Sequence, residues 1–276
     1  MIAAQVLAAA VELLQRAGVA DAANDARILL AHALEIERSR LILHLDQDLP
    51  ASAQARFQTS IAARCNRQPV AQIIGQRSFY GRDFFVTPDV LDPRPETELL
   101  IETALRFPFE TVLDLGTGSG CILLTLLAEK QHCRGVGADI SAAALSICNK
   151  NAQHLGVSLR CELLQSDWFS QLSGRFDLIV SNPPYIAADE MPTLAPELRD
   201  WEPQIALSPG GDGLVAYRVL TQTAPRFLNP KGRLMVEIGH QQGADVCDLF
   251  QANGFHGITC LKDLNGHDRV VLGQIG

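Results

Sequence analysis

The strongest constraint on the fold is a run that empties an apolar strand into a glycine turn and then into a helix: Val112-Leu113-Asp114-Leu115-Gly116-Thr117-Gly118-Ser119-Gly120. Glycines are needed where a backbone turns sharply and approaches a ligand with no Cβ in the way. The free amides at the start of the following helix then face that ligand. From Phe107-Pro108 onward the rhythm is strand, helix, strand. Strands are expected over 111–115, 135–139, 159–164, 176–180, 233–238, 257–261 and 269–272, with helices over 121–129, 142–154, about 214–226 and 244–252. That alternation is the signature of a doubly wound α/β sheet. The last two strands are joined by residues 262–268, too short for a parallel crossover, so they should pair antiparallel.

The loop reads G-x-G-x-G, and Cys121 stands where a dinucleotide fingerprint wants its third glycine. No lysine follows, which excludes a P-loop. Asp139 closes the next strand at the distance where an acid meets ribose hydroxyls. Asp114 has two readings: an acid facing the amino-acid part of a cofactor, or a carboxylate holding the loop amides. Trp168, in Ser166-Asp167-Trp168-Phe169, is either an indole stacked on an adenine face or a core residue. A parallel sheet finished by an antiparallel hairpin is the layout of a class I methyltransferase, and dinucleotide folds need not show it.

A second motif sits at the end of the apolar run Phe176-Asp177-Leu178-Ile179-Val180-Ser181, namely Asn182-Pro183-Pro184-Tyr185. Two successive prolines fix φ near about −65° and stiffen the turn. Such a turn delivers an amide and an aromatic ring to the rim of the sheet. An amide or exocyclic amine nitrogen is a poor nucleophile and must be held against its electrophile. The Asn182 side-chain oxygen and the Pro183 carbonyl can accept both N–H bonds of a carboxamide, and Tyr185 offers a π-face to a cation. A plain strand-to-loop junction closed by Pro-Pro is the competing reading.

Before the α/β part the text is helical to about residue 67: Val6, Leu7, Ala10, Leu13 and Leu14 recur at helical spacing, with Gly18 as a stop. Further helices are expected from about 22 to 33 and from about 51 to 66. Strand-like runs over 70–75 and 78–86 suggest a hairpin, and Pro93-Arg94-Pro95 breaks the chain before a helix bearing Leu99, Leu100, Ile101 and Ala104. Three parts are therefore expected: helices over 1–67, hairpin and linker over 68–94, and the α/β domain over 95–276. Over 186–213 about 28 residues read as loop, a length that suggests a function such as a lid.

Bulk properties exclude several classes. A net charge of −8 argues against phosphate-backbone affinity as the main binding force. Seven scattered cysteines without a C-x-x-C pair suggest neither disulfides nor zinc, as in a cytoplasmic protein. The seven histidines form no metal or nucleophile-elbow motif. No signal peptide or membrane span is expected from the opening residues.

Taken together, these residues resemble the protein-(glutamine-N5) methyltransferases of peptide chain release factors, the HemK/PrmC family. The resemblance runs through Asp25–Leu30, Gln68–Gly75, Pro93-Arg94-Pro95-Glu96-Thr97-Glu98, Asp114–Gly120, Asn151–Leu155, Gln165–Phe169, Asn182–Tyr185 and Gly210–Leu214. The helical domain and the Arg-Pro-x-Thr-Glu linker are its most discriminating parts. Asp92 departs from it, because members commonly carry an apolar residue there. The resemblance implies a Rossmann-like seven-stranded class I fold with an antiparallel C-terminal hairpin, behind a small helical domain that grips the substrate. It implies S-adenosylmethionine against Gly116, Thr117, Gly118, Ser119 and Gly120, with Asp139 on the ribose, Trp168 near the adenine, and Asn182 close to both ligands. Asn182, Pro183, Pro184 and Tyr185 would hold the glutamine of a Gly-Gly-Gln loop. Partners would be release factors, without membrane or direct nucleic-acid binding. The rivals are a glutamine methyltransferase of a ribosomal protein, an adenine-N6 nucleic-acid methyltransferase, a nicotinamide-dependent reductase and a non-catalytic module. Cys121 and the terminal hairpin oppose the reductase, and the acidic balance opposes the nucleic-acid enzyme.

Overall fold

The computed structural model describes residues 1–276, which divide into two compact units, Met1–Gln76 with Ala195–Trp201, and Arg77–Leu194 with Glu202–Gly276. The first is all helical: α1 (Ala3–Arg16), α2 (Ala22–Ala33), a 3-10 stretch (Arg38–His44), α3 (Ala51–Cys65) and α4 (Val70–Ile74). Val6, Ala10 and Leu14 of α1 pack on Ala26, Leu29, Leu30 and Ala33 of α2, the core expected from their spacing. Residues 70–74 correct the sequence reading. Their β-branched character suggested a strand, but Pro69 precedes them and Gly75 closes them at φ +78, so they form one helical turn. The hairpin lies just beyond, with β1 (Gln76–Phe79) and β2 (Arg82–Phe85) joined by Tyr80 and Gly81. Both turn residues have positive φ, as a two-residue turn matched to strand twist requires.

A helix from the long loop, α8 (Pro196–Trp201), belongs to this first unit. Its Glu197 carboxylate accepts from Arg64 Nη2 at 2.8 Å and Arg67 Nη2 at 2.7 Å, while Arg64 Nε donates to Asp25 at 2.8 Å. Trp201 Nε1 donates to the Asn66 carbonyl, and Gln72 Nε2 donates to the Trp201 carbonyl.

In the second unit α5 (Glu98–Leu105) leads into β3 (Thr111–Leu115), α6 (Cys121–Glu129), β4 (Arg134–Asp139), α7 (Ala142–His154), β5 (Cys161–Gln165) and β6 (Phe176–Ser181). After the loop, which also carries α9 (Gln204–Leu207), come α10 (Val215–Thr223), β7 (Leu228–Glu237), α11 (Gly243–Ala252), β8 (His256–Lys262) and β9 (Asp268–Gln274). The sheet order is β5-β4-β3-β6-β7-β9-β8. Pairing is parallel through β7, and β9 runs antiparallel to both β7 and β8. Both faces are covered: Val112, Leu178, Val180 and Met235 point into one core, and Leu113, Ile179, Leu234 and Val236 into the other. Two covered faces explain why these strands read as continuous apolar runs. The chain winds one way from β3 to β5 and then returns to β6 on the other side of β3, so the topological switch lies at the carboxyl ends of β3 and β6. Leu115, Asp139, Ser181 and Glu237 all end strands on that edge.

Candidate active site

At the switch point the glycine loop curls so that the amides of Gly116 and Thr117 both donate to the Ala138 carbonyl, at 2.8 and 3.1 Å. Gly116 and Gly118 adopt φ of +72 and +53, and a Cβ built on either would project into open space. A loop that leaves room where side chains would stand is a cradle for a ligand. Gly120 differs: a Cβ there would run into Cys148 and Leu124, so its smallness serves the packing of the loop on α6 and α7.

The Asp139 carboxylate holds the cradle from the next strand. Its Oδ2 accepts from Gly118 N and its Oδ1 from Ser141 N, each at 2.9 Å. Each oxygen keeps lone-pair capacity for a hydroxyl. Asp114 is fully buried, and its Oδ2 accepts from Thr117 Oγ1 at 2.8 Å. Its Oδ1 has no hydrogen-bond partner, and burial pushes its carboxyl up to about 7. Asp114 therefore holds the loop through the Thr117 hydroxyl, while the amides of Gly116 and Thr117 go to the Ala138 carbonyl instead.

A cavity of about 340 Å³ opens over this loop. Gly116, Thr117, Gly118, Ser119, Asp139, Trp168, Asn182 and Pro184 line it. Gly120, Pro183 and Tyr185 do not, because Gly120 lies behind the loop and the Tyr185 ring packs into the sheet core beneath the turn. Trp168 borders the cavity and also packs on the core, with φ at +48. The later part of the long loop supplies another wall through Pro203, Ile205, Ala206 and Ser208. That loop is far from structureless. Ile186 N donates to Leu207 O and Ala188 N to Gly211 O, which zip its two arms together.

The Asn-Pro-Pro-Tyr turn is pinned at several points. Ser181 Oγ donates to the Leu115 carbonyl at 2.6 Å, tying β6 to β3 where the glycine loop begins. Gln242 Nε2 donates to the Tyr185 carbonyl at 3.0 Å, and Gln242 Oε1 accepts from Gly239 N. Asn182 Nδ2 donates to Thr97 Oγ1 at 3.3 Å, and Thr97 Oγ1 donates to Glu237 Oε2 at 2.6 Å. Burial pushes the Glu237 carboxyl up to about 7 and the Tyr185 phenol up to about 12.

Sequence reasoning missed Glu237, Gln242 and Glu202. A lone acid closing an apolar strand, as in Met235-Val236-Glu237, was the available signal for the first. Glu202 is buried, accepts from Arg94 Nη2 at 2.9 Å and from Asp92 N at 3.2 Å, and is pushed up to about 7 by burial. Asp92 is buried beside it, 3.8 Å from Arg77 Nε, with its carboxyl raised by burial.

Comparison with known proteins agrees with this geometry. Residues 5–75 match the family model described as PrmC N-terminal domain, and residues 89–215 match the one described as Methyltransferase small domain. The chain is 57% identical over 275 residues to a release factor glutamine methyltransferase of Cereibacter sphaeroides, covering 100% of this chain and 99% of the relative. It is 42% identical to the protein of that name from Agrobacterium fabrum, covering 96% and 94%. Among solved structures, a methyltransferase from Pyrococcus furiosus superposes with a TM-score of 0.56 at 16% identity, covering 82% of this chain and 100% of that one. That likeness is one of fold.

Proposed function

Because the chain belongs to the family of release factor glutamine methyltransferases, we propose that it methylates the glutamine of a release factor's Gly-Gly-Gln loop, with Asn182 holding the reacting nitrogen. The reaction moves a methyl group from S-adenosylmethionine to the glutamine side-chain amide nitrogen, N5. What carries the assignment of Asn182 is a shared cavity: its side chain borders the same space as Gly116, Gly118 and Asp139. The open cradle at the two glycines and the spare acceptor capacity of Asp139 fit an adenosyl ligand. Bound there, S-adenosylmethionine supplies a methyl group activated by a sulfonium.

The chain's own residues then have an orienting task. A carboxamide nitrogen shares its lone pair with its carbonyl, so it reacts only when held in line. Asn182 Oδ1 and the Pro183 carbonyl accept its two N–H bonds and aim it. The nitrogen would gain the methyl as the methyl's bond to sulfur breaks, leaving a neutral thioether, and the cationic nitrogen would then pass one N–H proton to water. Acceptor oxygens on both N–H bonds stabilise that developing charge, and alignment supplies much of the rate. Tyr185 contributes by anchoring the turn through its carbonyl and ring. Ile205 and Val215, exposed apolar residues lining the cavity, suit entry of a polypeptide segment with small flanking residues.

The helices of residues 1–67 we assign to gripping the release factor. The protein acts on this reading in the cytoplasm and without nucleic acid. No helix is long and apolar enough to cross a membrane, and the net charge is −8.

The test is single-turnover transfer of tritiated methyl from S-adenosylmethionine, offered separately to purified release factor, ribosomal proteins and DNA, with mapping of the labelled residue. Label on the release-factor glutamine is expected. Asn182→Ala should slow transfer on the order of 10²-fold with cofactor affinity little changed, and Tyr185→Phe should be milder. Label on an adenine, or near-wild-type turnover in Asn182→Ala, would overturn the assignment.

A further inference from the structure

Thr97 and Glu237 have no part in the chemistry described so far, yet both are 1% exposed and both point at the Asn182 side chain. Thr97 ends the 3-10 turn Pro95–Thr97 that leads into α5, and Glu237 ends β7. A carboxylate closing a strand of Leu234, Met235 and Val236 is costly where it stands, because burial strips water from the charge. Around it lie Arg269 of β9, Glu96 beside Thr97, the Tyr185 ring, and Tyr217, whose hydroxyl donates to the Glu237 carbonyl.

We propose that Glu237 and Thr97 are positioning residues that fix which end of the Asn182 amide faces the cavity. The logic is one of donors and acceptors. In its ionised form a carboxylate can only accept, so above about pH 7 Glu237 takes the one proton that Thr97 Oγ1 has to give. Toward Asn182, Thr97 then offers lone pairs alone. The Asn182 amide must therefore turn its NH₂ to Thr97, which commits Nδ2 there and leaves Oδ1 for the substrate. The flipped amide would set Oδ1 against Thr97 Oγ1 with no proton between them, an unpaired contact in a buried place. A flipped Asn182 would also present N–H donors to the N–H donors of the substrate carboxamide. Glu237 thus sets the polarity of the Asn182 acceptor, through Thr97 and by facing the same amide itself. This inference rests on the reading that Asn182 accepts from the substrate amide.

Glu237→Gln is the sharp perturbation, since it keeps shape and brings a donor. The Gln NH₂ can donate to Thr97 Oγ1, freeing the hydroxyl proton to accommodate a flipped Asn182. Thr97→Val removes the relay, and Thr97→Ser keeps it. The full-length variants E237Q, T97V, T97S, N182A and the double variant E237Q/N182A are compared in single-turnover methyl transfer at saturating S-adenosylmethionine and release factor. Calorimetry with S-adenosylhomocysteine reports folding and cofactor affinity. E237Q and T97V should each slow transfer about tenfold or more, as expected for loss of orientation, while S-adenosylhomocysteine affinity stays within about twofold of wild type. T97S should recover most of the rate. The double variant should be no slower than N182A alone, because residues acting through one amide are not additive.

Wild-type rates in E237Q, or losses that multiply with that of N182A, would overturn the proposal while leaving the role of Asn182 intact. Near-wild-type transfer by N182A would remove both together. Should T97V lose S-adenosylhomocysteine binding through misfolding, the isosteric E237Q and its double variant decide the matter.

Discussion

Gly213 offers a substitution whose effect can be worked from the structure, with an internal control three residues away. Gly210 and Gly213 have nearly the same backbone, with φ of +75 and +77. Alanine at either pays the same left-handed penalty, roughly 1–2 kcal/mol. Their surroundings differ. A methyl at Gly210 meets nothing within 4 Å. At Gly213 it would press on the Tyr185 carbonyl oxygen, about 1 Å inside ordinary van der Waals contact, and lie 3.0 Å from Gln242 Nε2. Those two atoms are the partners of the hydrogen bond that pins the Tyr185 end of the turn. Gly213→Ala therefore wedges that bond apart and pushes the turn by up to about 1 Å, and Pro183-Pro184 are too stiff to absorb the shift before it reaches Asn182. A misplacement of that size is expected to slow methyl transfer on the order of 10²-fold, about 2.7 kcal/mol. Gly210→Ala should lose only the left-handed penalty in stability and keep its rate. Single-turnover transfer to release factor, thermal melting and S-adenosylhomocysteine calorimetry on both variants separate the two effects. Equal rates in Gly210→Ala and Gly213→Ala would refute the claim that the turn transmits displacement to the site.

Asp139→Ala removes the acceptor of two backbone amides along with the proposed ribose contact, so S-adenosylhomocysteine should bind about ten- to a hundredfold more weakly; unchanged affinity by calorimetry would dismiss Asp139 as a ligand. Glu197→Gln should destabilise the helical unit at neutral pH, since Arg64 and Arg67 lose their charged partner. Those guanidinium donors hold the Glu197 carboxyl below its ordinary 4.5, although burial opposes them as the largest single influence. A depressed acid contributes stability that is fully present above its unfolded value and fades as pH falls through the folded one. The gap in melting temperature between wild type and Glu197→Gln should therefore close below about pH 4.5, and a gap that widens on acidification would contradict this.

Much of the sheet was legible because covered strands carry their own signature. Val112, Leu113 and Leu115 and the run Leu178–Val180 are apolar on both faces, so they stand out, and the short 262–268 connection dictated the antiparallel end of the sheet. Strand-end position did the rest: Gly116, Asp139 and Asn182 follow from the rule that ligands meet the carboxyl edge at a switch point. Residues 70–74 were misread because five residues are too few for periodicity to tell a buried strand from a helical turn. The flanking Pro69 and Gly75 were the better evidence. The link from Thr97 to Glu237 escaped notice because it is a hydrogen bond across 140 residues, which no local pattern encodes. The long loop looked irregular because its order is non-local too: Ile186 pairs with Leu207, and Glu197 with arginines of the N-terminal helices.

That last pairing bears on the order in which this protein is made. The helices of residues 1–76 leave the ribosome before the sheet does, but they are not self-sufficient. Their buried Arg64 waits for a carboxylate 133 residues downstream, and Arg67 for the same one at 130 residues. Between them must come every parallel strand from β3 to β6. Until α8 emerges, Arg64 has Asp25 as its one carboxylate partner, and the carbonyl of Asn66 and the side chain of Gln72 lack their Trp201 partners. Contacts of such long sequence separation form late and slowly. Early α1 to α4 are thus a nascent, unfinished cluster during synthesis, completed by a segment that arrives only after the Asn-Pro-Pro-Tyr turn has been translated. A ribosome stalled before codon 195 should expose helices that remain sensitive to protease, and one stalled well past codon 201 should not.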